Sequence, residues 1–210
     1  MTPLERVLRC CAIGLLFAMV PAPGSGQATE RSTGALSKAA AARRNERFDP
    51  IFKKYTKRYF GVGFDWRRFK AQAMAESGLD TSATSQVGAR GLMQLMPSTY
   101  SAIQTARPDF GAIDDPEWNV AAGIMHDRYL WKAWPAIEAD TERVRFMFAS
   151  YNAGEGPITR AHAEALARQL EAARWASIEQ VAPNIPKWRY RETLGYVRKI
   201  DTNYERIKAP

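Results

Sequence analysis

Among the 210 residues of this chain, Glu76 has the strongest claim to chemistry. It falls near the end of a segment, Trp66 to about Ser77, that reads as a helix with Asp65 as its N-cap and Gly78 as its stop. Phe69, Ala73 and Glu76 lie at i, i+4 and i+7, so one face presents all three and Glu76 is turned toward the core. The last turn of a helix also exposes backbone carbonyls, which disfavour negative charge. Desolvation acts in the same direction, so a carboxyl that titrates at about 4.3 in water is held protonated nearer neutrality. Such a group can act as a general acid. A glutamate that bends out to water is the competing reading, and the helix alone does not decide between them.

Other polar groups cluster downstream. Gly78, Gly88 and Gly91 permit tight, close-approaching backbone in the segment from Glu76 to Pro97. Gln94 sits among apolar neighbours and can both donate and accept. It suits either a buried cross-link or a grip on a sugar hydroxyl or acetamido group. Tyr151 ends an apolar stripe, as a cleft hydrogen-bond donor or as core. Asp80 is the nearest candidate second carboxylate and is read as a loop-stabilising residue. His126 and His162 lie on helices among apolar neighbours and read as packed side chains, as do most of the six tryptophans.

Positioning these groups falls to helices. Residues with helical spacing run from Asp49 to Phe60, from Trp66 to Ser77, and from Pro97 toward Gln104. Further helices are expected from Pro116 through Trp134, Thr141 to Asn152, Pro157 toward Arg174, and Glu192 to Ile207. No stretch shows sustained strand-like alternation, and a short irregular piece is expected around Thr81 to Arg90. The expected class is all-α.

Before Phe48 the texture differs. Residues 1–28 combine Arg6 and Arg9, an apolar run from Cys10 to Val20 and small residues ending at Ala28, the pattern of a secretory signal peptide. The 11-residue run is short of the roughly 20 needed to span a bilayer. Residues 29–47, rich in Ala, Ser, Thr and Arg, read as a flexible linker, and 48–210 as the folded domain. Two adjacent cysteines and two histidines exclude zinc-finger, iron–sulfur and disulfide-scaffold classes. The formal charge of +8 falls only to +7 when Arg6, Arg9 and Glu5 leave with the signal. An exported basic protein seldom meets nucleic acid, so the expected partner is an acidic polymer of the cell envelope.

Four ordered motifs together resemble the catalytic domain of the soluble lytic transglycosylase (SLT) family, which cleaves murein on a lysozyme-like fold of the goose-type kind. They are Glu76-Ser77, Gly88-Ala89-Arg90-Gly91-Leu92-Met93-Gln94, Tyr151-Asn152-Ala153-Gly154 and Glu192-Thr193-Leu194-Gly195-Tyr196-Val197. The resemblance spans about Phe48 to Ile207 and is nearest the membrane-bound F-type branch, without that branch's binding-protein-like domain. Phe146 to Ser150 departs from it, since the family more often has small aliphatic residues there. The resemblance implies that Glu76 is the single catalytic acid/base. It makes Ser77 a donor-sugar contact, Met93 and Gln94 a cleft-lining pair, and Tyr151 a hydrogen-bonding tyrosine near the carboxylate, supported by Asn152. Glu192 and Tyr196 would contribute to the groove. The implied reaction breaks the MurNAc–GlcNAc β-1,4 bond, leaves 1,6-anhydro-MurNAc ends and needs no metal or cofactor. A hydrolytic muramidase and a non-catalytic murein-binding or assembly factor are the alternatives. Glycan strands are the expected partner, envelope machinery a further one, and the chain is expected to be a periplasmic monomer.

Overall fold

A computed structural model describes residues 46–209. The proposed signal peptide and all but the last two positions of the proposed linker lie outside them. The described residues contain eight α-helices. These are α1 (Asp49–Phe60), α2 (Arg67–Glu76), α3 (Pro97–Ala106), α4 (Pro116–Lys132), α5 (Asp140–Ala153), α6 (Glu155–Ala167), α7 (Trp175–Val181) and α8 (Tyr190–Lys208). A single 3-10 turn, Ala182–Asn184, joins α7 to the approach of α8. No extended strand is present among the described residues; Thr84 and Arg90 form an isolated bridge in the stretch expected to be irregular, and Arg90 forms another with Leu95 just beyond it.

Local chemistry sets the helix starts. Proline opens α3 and α4, where its missing N–H is no loss. The Asp115 carboxylate accepts from the backbone N–H groups of Glu117 and Trp118, capping α4. The N-cap of α2 is Trp66, one place after the expected Asp65, but the Asp65 carboxylate still accepts from the N–H of Arg67 at 3.0 Å and satisfies an orphan donor.

The third-last helix departs from expectation. The segment from Pro157 toward Arg174 is not one helix: α6 begins at Glu155 and stops at Ala167, and a separate α7 follows. Gln169 takes the left-handed conformation at φ 58°. Its N–H donates to Leu166 and the next N–H to Ala165, both at 2.9 Å. These two bonds form a Schellman stop with glutamine in the slot glycine usually fills. A stop without glycine is invisible to composition. The new helix then starts where the Trp175 N–H meets the Glu142 carboxylate at 2.6 Å.

Helix α5 runs through the centre. Val144, Phe146, Met147, Phe148 and Ala149 are each no more than 2% exposed. The unusual phenylalanines are packing residues: Phe146 lies against Trp134, His162 and Trp175, and Phe148 against Phe69. Truncating an aromatic in such a core costs about 3–5 kcal/mol. Helix α8 lies antiparallel along α2. Asn203 donates to the Ala71 carbonyl at 3.2 Å and Lys199 to the Ala75 carbonyl at 2.6 Å, so α8 supports the helix that carries Glu76.

Candidate active site

Glu76 is the last residue of α2 and is half-buried. The Tyr196 hydroxyl, reaching across from α8, donates to its Oε1 at 2.5 Å. Tyr196, Lys199 and Asn203 fall at i, i+3 and i+7 on α8, so one face meets Glu76 and the two α2 carbonyls behind it. Burial raises the Glu76 carboxyl to about 7, against the opposing pull of the Tyr196 hydrogen bond and the Lys199 charge. The carboxyl is therefore present as an acid and as a base in comparable amounts near neutrality.

The loop after α2 is held by backbone contacts. Ser77 donates its hydroxyl to the Leu92 carbonyl at 2.9 Å. Asn119, 1% exposed on α4, accepts from the Met93 N–H at 2.8 Å and donates to the carbonyls of Arg90 and Ile113 at 3.0 and 2.9 Å. Tyr151, from α5, donates to the Met93 carbonyl at 2.8 Å. Met93 is thus clamped at both ends of its backbone, from two helices. Close approach explains two glycines: a Cβ on Gly91 would lie 2.5 Å from the Asn119 amide, and one on Gly123 would lie 2.7 Å from the Met93 side chain.

A half-buried acid held near neutrality, beside a loop pinned from behind, is the arrangement the sequence motifs anticipate. The transglycosylase SLT domain matches residues 50–173. The chain belongs to this family. It is 32% identical over 174 residues to membrane-bound lytic murein transglycosylase F of Desulfosudis oleivorans, a match covering 77% of this chain and 36% of that protein. It is 31% identical over 156 residues to the transglycosylase F of Vibrio cholerae, covering 72% and 27%. The chain spans only about a third of the length of these relatives. Among solved structures, the 70 kDa soluble lytic transglycosylase of Escherichia coli is 27% identical with a TM-score of 0.54, over 77% of this chain and 24% of that one. The 70 kDa soluble lytic transglycosylase in complex with bulgecin A shares the fold at a TM-score of 0.58, over 87% and 28%.

The motif residues take different parts, those up to Asn152 inside the matched SLT segment and Glu192 and Tyr196 beyond it. Tyr196 meets the carboxyl directly, whereas Tyr151 bonds the loop backbone instead of Glu76. Met93 was expected to line the cleft, but its side chain is fully buried against Gly123; what it offers is its backbone. Gln94 has φ 45° and spends its amide N–H groups on the carbonyls of Ala83 and Gly91, both at 3.0 Å, leaving its own carbonyl free to accept. Its cross-linking reading therefore holds for the donor end. Asn152 and Glu192 are exposed and line one cavity of about 210 Å³ with Lys187, Trp188 and Arg189. Glu192 pairs with Arg189 at 2.8 Å. Asp80 is exposed and accepts from the Ser82 N–H and hydroxyl, a loop role as expected.

Three residues escaped sequence reasoning: Asn119, Lys199 and Asp127. Asn119, Gly123 and Asp127 form an i, i+4, i+8 stripe on α4 that faces the site. A polar residue opening the run Val120-Ala121-Ala122 was the available signal. Among the described residues no helix is long and apolar enough to cross a membrane.

Proposed function

We propose that the domain is a murein lytic transglycosylase in which Glu76 acts first as acid and then as base. The protonated carboxyl gives its proton to the glycosidic oxygen between MurNAc and GlcNAc, and the bond from that oxygen to the MurNAc anomeric carbon breaks. The substrate's acetamido oxygen shields the positive charge left there. Ionised Glu76 then takes the proton of the same sugar's C6 hydroxyl as its oxygen bonds the anomeric carbon. The anhydro ring closes, the proton is back on Glu76 and no water is consumed.

The observation that carries this reading is the half-buried Glu76 carboxyl at the end of α2 with the Tyr196 hydroxyl donating to it, an environment whose burial pushes the carboxyl up to about 7. Tyr196 can follow the charge: its bond strengthens as Glu76 ionises and relaxes as the proton returns. Ring closure is favoured over hydrolysis by the state of the other acids. A glycosidase that activates water with a second carboxylate needs it exposed and several ångströms from the first. Asp127 is 0% exposed, and Asp80 is tied to its own loop, accepting the Ser82 N–H and hydroxyl at one oxygen. The resemblance further assigns Ser77, Gln94, Asn152 and Glu192 to sugar contacts. The free Gln94 carbonyl and the cavity beside Asn152 and Glu192 support that. The basic surface would favour adhesion to an acidic wall, in the periplasm after export.

Digestion of purified sacculi tests the reading. Muropeptides lighter by one water than hydrolysis products are expected, absent in Glu76→Gln. Reducing-end muropeptides from the wild type would instead identify a hydrolase, and no release at all would identify a binding module.

A further inference from the structure

A carboxyl that the proposed reaction leaves idle lies directly behind it. Asp127, on α4, is 0% exposed, and its Oδ1 accepts from the Gln72 amide at 3.3 Å. Gln72 is also 0% exposed and stands one helical turn before Glu76, on the same face of α2. Two buried oxygens at this contact have no partner: Asp127 Oδ2 and Gln72 Oε1. Both are acceptors if the acid is ionised, and two acceptors cannot satisfy each other. Buried polar atoms are rarely left alone, because each costs the full loss of its hydration. Flipping the Gln72 amide only exchanges which atom is orphaned. A proton on Oδ2 would make that oxygen a donor, and Oε1 is the unpartnered acceptor of the same side-chain pair.

We propose that Asp127 is a protonated carboxylic acid joined to Gln72 by a paired acid–amide contact, and that this pair positions the last turn of α2 so that Glu76 is aimed at the glycosidic oxygen. The charges around it agree. Glu76 faces the pair from α2, Tyr151 from α5 and Tyr196 from α8, and none of them is a cation. Burial pushes the Asp127 carboxyl well above the usual carboxylate range, and the neighbouring Glu76 adds to the push. A neutral acid adds no second negative charge beside Glu76 when that carboxyl ionises during turnover. Asp127 is a positioning residue, since sealed side chains cannot touch a glycan. The role in turnover rests on the transglycosylase reading; the acid–amide pair does not.

Infrared difference spectra and kinetics on the full chain test this. At about pH 8, where Glu76 is largely ionised, wild type minus Asp127→Asn should show the carbonyl stretch of a protonated acid. Loss of ionised-carboxylate bands instead would overturn the proposal. Asp127→Leu leaves Gln72 unpaired and should lower kcat on sacculi by about tenfold to a hundredfold with KM held, the signature of a misaimed group. Asp127→Asn can rebuild both bonds without a titrating proton and should recover most of that loss. Full activity in Asp127→Leu, or a loss in Asp127→Asn as deep as in Asp127→Leu, would overturn the positioning role. Should wild type release no anhydro-muropeptides while the protonated-acid band is present, the transglycosylase reading falls and the pair stands.

Discussion

The floor and the rim of the site are built on different terms. On the floor, Glu76, Tyr196, Tyr151, Asn119 and Asp127 come from four helices and meet through short contacts under cover. On the rim, Asn152, Lys187, Arg189 and Glu192 are exposed, and Glu192 is tied only to a neighbour on its own segment. A covered hydrogen bond is costly to leave unmade, whereas a surface ion pair is worth about 0–1 kcal/mol. Floor changes should therefore reach the chemical step or the fold, and rim changes only affinity.

The largest effect should come from Glu76→Gln. Removing a positioned acid–base group costs about 10²–10⁴ in rate, and here one carboxyl serves both steps, so loss at the upper end or beyond is expected. The same change should stabilise the protein in a defined window. A carboxyl whose folded value is raised to about 7 stabilises the fold fully below its unfolded value near 4.5, and that contribution is lost as pH rises through 7. Above that, ionised Glu76 costs the fold about 3 kcal/mol at most. Glu76→Gln should match wild type in Tm near pH 4 and exceed it near pH 8. A Tm below wild type at the higher pH would mean that Glu76 is not held as an acid.

Next in size is the brace. Asn119→Ala would strand the Met93 N–H and the Ile113 carbonyl, while the Arg90 carbonyl keeps the Leu95 N–H, costing about 2–4 kcal/mol in denaturant unfolding. Gly91→Ala attacks the same contact from the other side, because its φ is 76° and its new methyl would meet the Asn119 amide. If both were neutral, the floor would not depend on the brace and the contrast with the rim would blur.

How much of this was legible follows from the same division. Periodicity and caps located seven of the eight helices, because Asp65, Pro97 and Pro116 announce themselves in one dimension. Helix α7 was missed because Gln169 took a glycine's place in the stop. Glu76 could be found because three residues of one helix share a face. Met93 could not be assigned correctly, because burial of its side chain depends on Gly123, thirty positions away in another helix. The same is true of Tyr196 as the partner of Glu76, at a separation of 120 residues.

A smaller and more directional effect separates the two tyrosines. The Tyr196 hydrogen bond pulls the Glu76 carboxyl down, so Tyr196→Phe should raise it and carry the alkaline limb of activity upward. The rate at the optimum should fall, since the ionised carboxylate loses its donor. Tyr151→Phe frees only the Met93 carbonyl, so it should slow turnover without moving that limb. Lys199→Met should shift the limb in the same direction as Tyr196→Phe, because its charge also favours ionisation. A downward shift in either would reverse the account of the floor.

The smallest effect tests the rim. Glu192→Ala removes an exposed carboxylate whose partner, Arg189, is itself 88% exposed, so stability should change by no more than about 0.5 kcal/mol. If the cavity beside Asn152 holds a sugar or its peptide, the cost appears as KM raised about two- to tenfold with kcat held, the pattern of a contact made equally in ground and transition states. Glu192 stands one turn before Tyr196 on α8, so a disturbed helix would also move the pH profile that Tyr196 helps to set. Glu192→Ala should leave that profile alone. A shifted alkaline limb would show that rim and floor share one unit, and the division between them would fail.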